Sequence, residues 1–240
     1  EKDLVLCLIS GGASALFTRP RLPLDDWQAL NRALLASGCP IQAINTVRRQ
    51  LDAVKGGGLA RWLAPARVNS LILSDVVGND LAAIGSGPTV ASPDKPAEAL
   101  AVLRRYQVER FLETAVSQTI TATLQNLAKT KHTPPANIID NLIIGSIQQS
   151  AQAASAKAES LGFQTRLLTT RLEGEAREVG RFAAALAIDA PPQSATLLGG
   201  ETTVTLRGDG IGGRNLETAL SAAISLSGWP QRTITSFATD

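Results

Sequence analysis

The chain has 240 residues, 44% hydrophobic and 18% charged, enough apolar material for one or two domains with sizeable cores. Its formal charge of +2 comes from 23 basic and 21 acidic residues, scattered so that no basic run suggests a nucleic-acid or membrane partner. Cys7 and Cys39 have no metal-ligand spacing and argue against a disulfide scaffold; they fit a reducing compartment, and a cytoplasmic protein is expected.

No stretch reaches the roughly 18 apolar residues of a membrane span. In chain order, Leu4 to Ile9 is a continuous apolar run ending in Ser10-Gly11-Gly12, as expected for a strand buried on both faces. Helix patterning follows at 25–37, 41–52 and 58–63. Val68 to Leu73 reads as the next strand, ending at Ser74-Asp75, with a glycine-containing loop after it. Helices are predicted over 96–106 and 109–128, then a polar loop carrying the lone histidine, His132. Strand at 141–144, helix at 146–161, strand at 163–169 and helix at 173–188 continue the alternation. The pattern is that of an α/β fold with a mostly parallel sheet flanked by helices. The Pro-containing stretch Asp189 to Ser194 is the predicted domain boundary, between a first domain over 1–190 and a smaller α/β one starting in 195–240. Beyond it, Thr202 to Leu206 alternates polar and apolar residues like a half-exposed strand, with an antiparallel one in view. A helix over 215–226 and a strand over 233–238 complete the reading.

Chemistry concentrates at turns. Ser10-Gly11-Gly12-Ala13-Ser14 follows a buried strand, where backbone N–H groups and the Ser10 and Ser14 hydroxyls can meet an anion; a plain tight turn is the alternative. Asn45-Thr46-Val47-Arg48-Arg49, with Lys55-Gly56-Gly57-Gly58, can bring cations to a phosphate or carboxylate, or Arg49 can face solvent. Asp75, just past a strand end, can hold Mg²⁺ or cap a turn, and Ser86-Gly87-Pro88-Thr89 follows it. Densest is Gly199-Gly200-Glu201-Thr202-Thr203 with Gly208-x-Gly210-x-Gly212-Gly213-Arg214-Asn215. Four glycines within six residues suggest close approach of backbone to a ligand. Arg214 at a helix start adds positive charge to an electropositive end, a conflict that an anion resolves. No Walker-type GxxxxGK[ST] sequence occurs.

Taken in order, Ser10-Gly-Gly-Ala-Ser-Ala-Leu, Asn45-Thr-Val-Arg, Lys55-Gly-Gly, Ser74-Asp75 with Ser86-Gly-Pro-Thr, Gly199-Gly-Glu-Thr-Thr and Gly212-Gly-Arg-Asn resemble the glycerate 2-kinases, a family ending in a MOFRL domain. The resemblance covers nearly the whole chain. It implies a Rossmann-like larger domain followed by a smaller one, and ATP-dependent phosphorylation of the 2-hydroxyl of D-glycerate with ATP and Mg²⁺. Glycerate and nucleotide would be the small-molecule partners, with a homodimer as a candidate assembly. Carried over residue by residue, Arg214 and Asp240 would be catalytic. Ser10, Gly11, Gly12, Ser14, Arg48, Lys55, Gly56, Ser86, Gly87, Thr89, Gly200, Glu201, Thr202, Gly212, Gly213 and Asn215 would bind substrate or nucleotide, and Asp75 with Glu201 would hold the metal. Ala13 stands where the family usually has a glycine, and Leu216 where it has Gln. The family's upstream Gly-Lys motif would precede Glu1, and its Asp-Gly-x-Asp-Gly-Pro-Thr run would begin at Asp240. A longer polypeptide is therefore expected at both ends, with this stretch inactive by itself.

Two other readings remain. Gly208, Gly210 and Gly213 spell GxGxxG, with Asp240 further on, the fingerprint of a dinucleotide site and hence of an NAD(P)-dependent hydroxypyruvate reductase. Against it, the preceding strand alternates instead of being apolar throughout, and His132 lies in a polar loop. A non-catalytic sugar-acid or nucleotide sensor on the same fold is the third.

Overall fold

The structure is a computed structural model that describes residues 3–130, 134–205, 208 and 210–238. The chain divides into two compact units, Glu1–Ile72 with Asp80–Ile144, and Leu73–Asn79 with Gly145–Asp240. The Asp189 to Ser194 turn lies within the second unit. Among the described residues, no helix is long and apolar enough to cross a membrane.

The first unit is built on a three-stranded sheet in the order β1 (Leu4–Ser10), β2 (Arg67–Ser74), β3 (Ile138–Ser146). Arg67 N–H donates to Asp3 O at 2.9 Å and Val68 N–H to Asn137 O at 2.8 Å, so the three strands start side by side. Around them run α1 (Ala13–Leu16), α2 (Leu24–Ala36), α3 (Ile41–Leu51), α4 (Gly58–Leu63), α5 (Pro96–Arg105) and α6 (Thr114–Lys129). The core is helical: Leu30 and Leu34 of α2, Val47 and Leu51 of α3, Ala99 of α5 and Leu124 of α6 pack as one buried cluster. Apolar residues three and four apart place these side chains on the inner faces, and each buried Leu contributes about 1.5–3 kcal/mol.

The helix expected over 109–128 is divided. A 3₁₀ turn at Val108–Phe111 precedes α6, which starts at Thr114. Val108 is fully buried in the helical cluster and Leu112 packs against it, so the chain bends to bury both before α6 can begin.

The second unit contains α7 (Ile147–Ser160), β4 (Gln164–Glu175), α8 (Ala176–Asp189), β5 (Ser194–Thr203) and α9 (Arg214–Ser225). β4 and β5 pair in parallel, correcting the antiparallel alternative at Thr202 and Thr203; the strand ends there, and Leu206 lies outside the described residues. β5 also starts well before Thr202, and β4 runs into residues expected to open the next helix. The reason is the pairing itself, which continues through Glu173↔Glu201, Gly174↔Thr202 and Glu175↔Thr203. Residues 233–238, expected as a strand, are not part of one. They are fastened at their start by Arg232, whose guanidinium donates to Ala190 O at 3.0 Å just past the end of α8, where a cation is favoured.

The joint between α8 and α9 depends on a missing side chain. A Cβ on Gly180 would lie 2.4 Å from Thr218 O and 2.8 Å from Ser221 Cβ. Gly180→Ala should therefore destabilise by about 1–3 kcal/mol, read as a lower urea midpoint at unchanged slope, and loosen hydrogen-exchange protection in α9. In the first unit, a Cβ on Gly58 would lie 2.0 Å from Ala53 O. Gly58→Ala should destabilise to a similar extent, while a melting temperature matching the parent protein would contradict this account.

Candidate functional site

In the first unit three loops close on one another. The turn after β1 carries Ser10, Gly11, Gly12 and Ser14; the second loop is residues 52–58; the third is residues 84–89. The second and third are zipped by backbone, Gly56 N–H to Ser86 O at 3.1 Å, Gly57 N–H to Gly87 O at 2.8 Å and Leu59 N–H to Pro88 O at 3.1 Å. The third loop offers its carbonyls this way because Gly85, Ser86 and Gly87 are all left-handed, with φ of 56°, 63° and 61°. The first and third meet side chain to side chain, Ser14 Oγ to Ser86 Oγ at 2.7 Å.

The first and second loops are tied by a buried ion pair. Lys55 is fully buried, its Nζ donating to Ser14 O at 2.9 Å and Phe17 O at 3.0 Å, and lying 3.9 Å from the Asp52 carboxylate. Asp52 in turn accepts from Thr18 Oγ1, from Arg19 N–H at 3.2 Å and from Val54 N–H at 2.9 Å. Arg48 reaches Ser14 O from α3 at 3.2 Å. The fold thus brings together Ser14, Arg48, Lys55, Gly56, Ser86 and Gly87 from four separate motifs, although Lys55 and Ser86 sit beneath the turn, out of contact with solvent.

Other expected ligands have structural employment. Thr89 is fully buried, bonded to Ser70 Oγ at 2.9 Å and Asn141 Oδ1 at 2.6 Å. Arg49 is neither a solvated face nor a free cation: it pairs with Asp94 and both side chains are nearly covered.

Sequence reasoning missed Asp52, the carboxylate whose charge acts on Arg21, Arg48 and Lys55 among the described residues. Arg19 lies beside Arg21, which in turn lies beside Arg61. Burial pushes the guanidinium groups of Arg21, Arg48 and Arg61 below their ordinary range. It also takes Lys55 down to about 8, with Asp52 opposing the shift and Arg48 adding to it. A signal for Asp52 existed in its position three residues before Lys55, but an i,i+3 pair by itself is common on any surface.

In the second unit, Asp75, Gly200, Glu201, Thr202, Arg214 and Asn215 all line one open cavity of about 690 Å³. Gly200 is required by packing: its φ is 157°, and a Cβ would lie 2.0 Å from Leu172 O. Glu201, directly after it, pairs with Arg214 at the first position of α9. The anion that resolves the charge conflict at this helix start is therefore a side chain of the protein. Asn215 is held by Ser236 Oγ, which donates to its Oδ1 at 2.6 Å. Gly212 and Gly213 are exposed, and a Cβ on either would meet nothing within 4 Å. Asp240 and His132 lie outside the described residues. Among the described residues no group of three or more His, Cys, Asp or Glu side chains could hold a metal ion.

Residues 1–121, half of the chain, match a family described as a domain of unknown function (DUF4147), and residues 194–240 match the MOFRL family. A D-glycerate 2-kinase of Thermotoga maritima is 41% identical over 239 residues, covering 95% of this chain and 54% of its own. A protein of Agrobacterium vitis, provisionally named hydroxypyruvate reductase, is 41% identical over 239 residues, covering 94% of this chain and 52% of its own. The crystal structure of a glycerate kinase from Thermotoga maritima superposes with a TM-score of 0.74 at 40% identity, over 96% of this chain and 55% of that one. The chain spans about half the length of these relatives. With the ordered motifs, both family matches and the shared fold in agreement, this chain belongs to the glycerate kinase family.

Proposed function

We propose that the whole protein carrying this chain is an ATP-dependent D-glycerate 2-kinase, transferring the γ-phosphoryl group of ATP to the substrate 2-hydroxyl. The observation that carries the reading is the crowd of cations near one carboxylate: Arg21, Arg48 and Lys55 feel the charge of Asp52, with Arg19 and Arg61 beside Arg21. At neutral pH a lysine whose pKa is about 8 remains charged, so the turn at Ser10–Ser14 stands over excess positive charge. Such a surface favours a small carboxylate or a phosphate.

Phosphoryl transfer asks mainly for positioning and for neutralisation of developing charge. Arg214 is assigned the second task in this proposal, with Asn215 beside it held in place by Ser236. Its present partner Glu201 is about two-fifths exposed and Arg214 itself nearly half, so the pair can open toward a competing phosphate at little cost. Mg²⁺ is commonly bound by one or two carboxylates plus substrate phosphates, and Asp75 and Glu201 on the wall of one cavity fit that donor set. When bound, the ion would neutralise phosphate charge. Asp240 is the residue proposed to accept the 2-hydroxyl proton.

The reductase reading has less support. In a dinucleotide fingerprint the last glycine permits close packing of helix on strand. Here a Cβ on Gly208, Gly210 or Gly213 would meet open space, and β5 ends at Thr203.

In a coupled assay of ADP release from the whole protein with ATP and D-glycerate, Arg214→Ala should reduce kcat by about 10²–10³-fold. Near-parental turnover by that variant would remove Arg214 from the chemistry. Oxidation of NADH with hydroxypyruvate in the absence of ATP would instead support the reductase. The Lys55 shift has its own consequence. Because the folded state lowers this pKa from 10.5 to about 8, the unfolded chain binds more protons between those values, and folding stability rises with pH across that window. Lys55→Met should be less stable throughout and should flatten that rise, read from urea midpoints at pH 7.5, 9 and 10.5; an identical slope in the variant would contradict the assignment.

A further inference from the structure

We propose that Ser86 is a positioning residue acting through Ser14: its buried hydroxyl donates to Ser14 Oγ, which leaves the Ser14 hydroxyl proton directed at an anionic group of the substrate. The identity of that substrate as glycerate rests on the kinase reading above; the hydroxyl relay does not.

Ser86 is an L-residue with φ of 63° between two glycines of similar conformation. Glycine would occupy that backbone without strain, as its neighbours do, so the serine side chain must supply something that offsets the strain. The side chain is fully buried, and its Oγ lies 2.7 Å from Ser14 Oγ. A buried hydroxyl proton needs an acceptor. Either oxygen of this contact can donate; because Ser14 Oγ is the acceptor within reach of the buried Ser86 hydroxyl among the described residues, Ser86 is assigned as the donor. With a lone pair of Ser14 Oγ so engaged, the proton of Ser14 is free to donate elsewhere, and donation along such a chain strengthens it.

Ser14 is well placed to use that proton. It is half-buried, whereas Ser86 below it has no solvent access. Its own carbonyl is held by two cations, Arg48 at 3.2 Å and Lys55 at 2.9 Å, so the residue is fixed in an electropositive setting. A hydroxyl donor there suits a carboxylate or phosphate oxygen. Ser86, which the motif by itself suggested as a ligand contact, acts one bond further back.

The test is a double-mutant cycle in the whole protein with Ser14→Ala, Ser86→Ala and the pair, together with Ser86→Gly. Loss of the donor should raise KM for D-glycerate about tenfold in either single alanine variant, with kcat within about twofold. The double variant should be no worse than Ser14→Ala. Ser86→Gly removes the backbone strain as well as the hydroxyl, so it should melt no lower than Ser86→Ala yet show the same raised KM. Additive losses in the double variant, or recovery of parental KM in Ser86→Gly, would overturn the proposal. A ligand-free crystal structure of Ser86→Ala separates this inference from the kinase reading. If the parent protein neither binds nor phosphorylates glycerate, the kinase reading falls. A changed Ser14 side-chain rotamer in that crystal would still uphold the relay, and an unchanged one would sink it.

Discussion

A lysine with no access to water is the constraint on which the first unit turns. Lys55 can keep its charge only if acceptors replace the lost solvent, and two carbonyls from the turn after β1 do so, with Asp52 nearby. The same carboxylate accepts from Thr18, Arg19 and Val54. One pair of opposite charges therefore fixes the chain from Ser14 to Arg19 at several points. A buried pair of this kind is weak evidence for added stability, because desolvation offsets most of the attraction. Its effect is geometric: the turn has one place to be, and the neighbouring loop at Ser86 can then meet it through a single hydroxyl contact.

The second unit uses charge in the opposite way. Arg214 and Glu201 face a cavity and are both substantially exposed, so their attraction is screened and either can change partners. Asp52 and Lys55 cannot, since neither meets solvent. The contrast divides the candidate residues into those that hold shape and those free to meet a ligand. It also explains why a motif-level list of binding residues mixes the two: a lysine beside glycines reads the same in sequence whether its ammonium ends on a phosphate or on two backbone carbonyls.

Glycines show a similar division. Those at 58, 180 and 200 are required by atoms 2.0 to 2.4 Å from where a Cβ would stand. Those at 208, 210, 212 and 213 have open space around them, which packing does not explain. The GxGxxG spelling belongs to the second group and lacks the close helix–strand contact that gives the dinucleotide fingerprint its meaning.

Much was legible from the sequence because periodicity and turn chemistry are local properties. The alternation of strand and helix and the ordered glycine motifs identified the α/β class and the family without reference to any contact, whereas the Leu4 run, expected to be buried on both faces, forms a strand with Leu4, Leu6 and Leu8 exposed. Helix ends were less legible where burial overruled propensity: Val108 and Leu112 had to enter the core, and the expected helix broke there. The direction of β5, the burial of Lys55, the part played by Asp52 and the strained backbone at Ser86 were decided by tertiary structure alone. Each depends on groups distant in sequence: Leu172 for the path of β5, Ser14 and Phe17 for Lys55, Thr18 and Arg19 for Asp52, and the loop at Gly56 and Gly57 for Ser86. Residue type fixes what a side chain can bond to, while only the folded chain decides which partner arrives first and whether water is still there to compete.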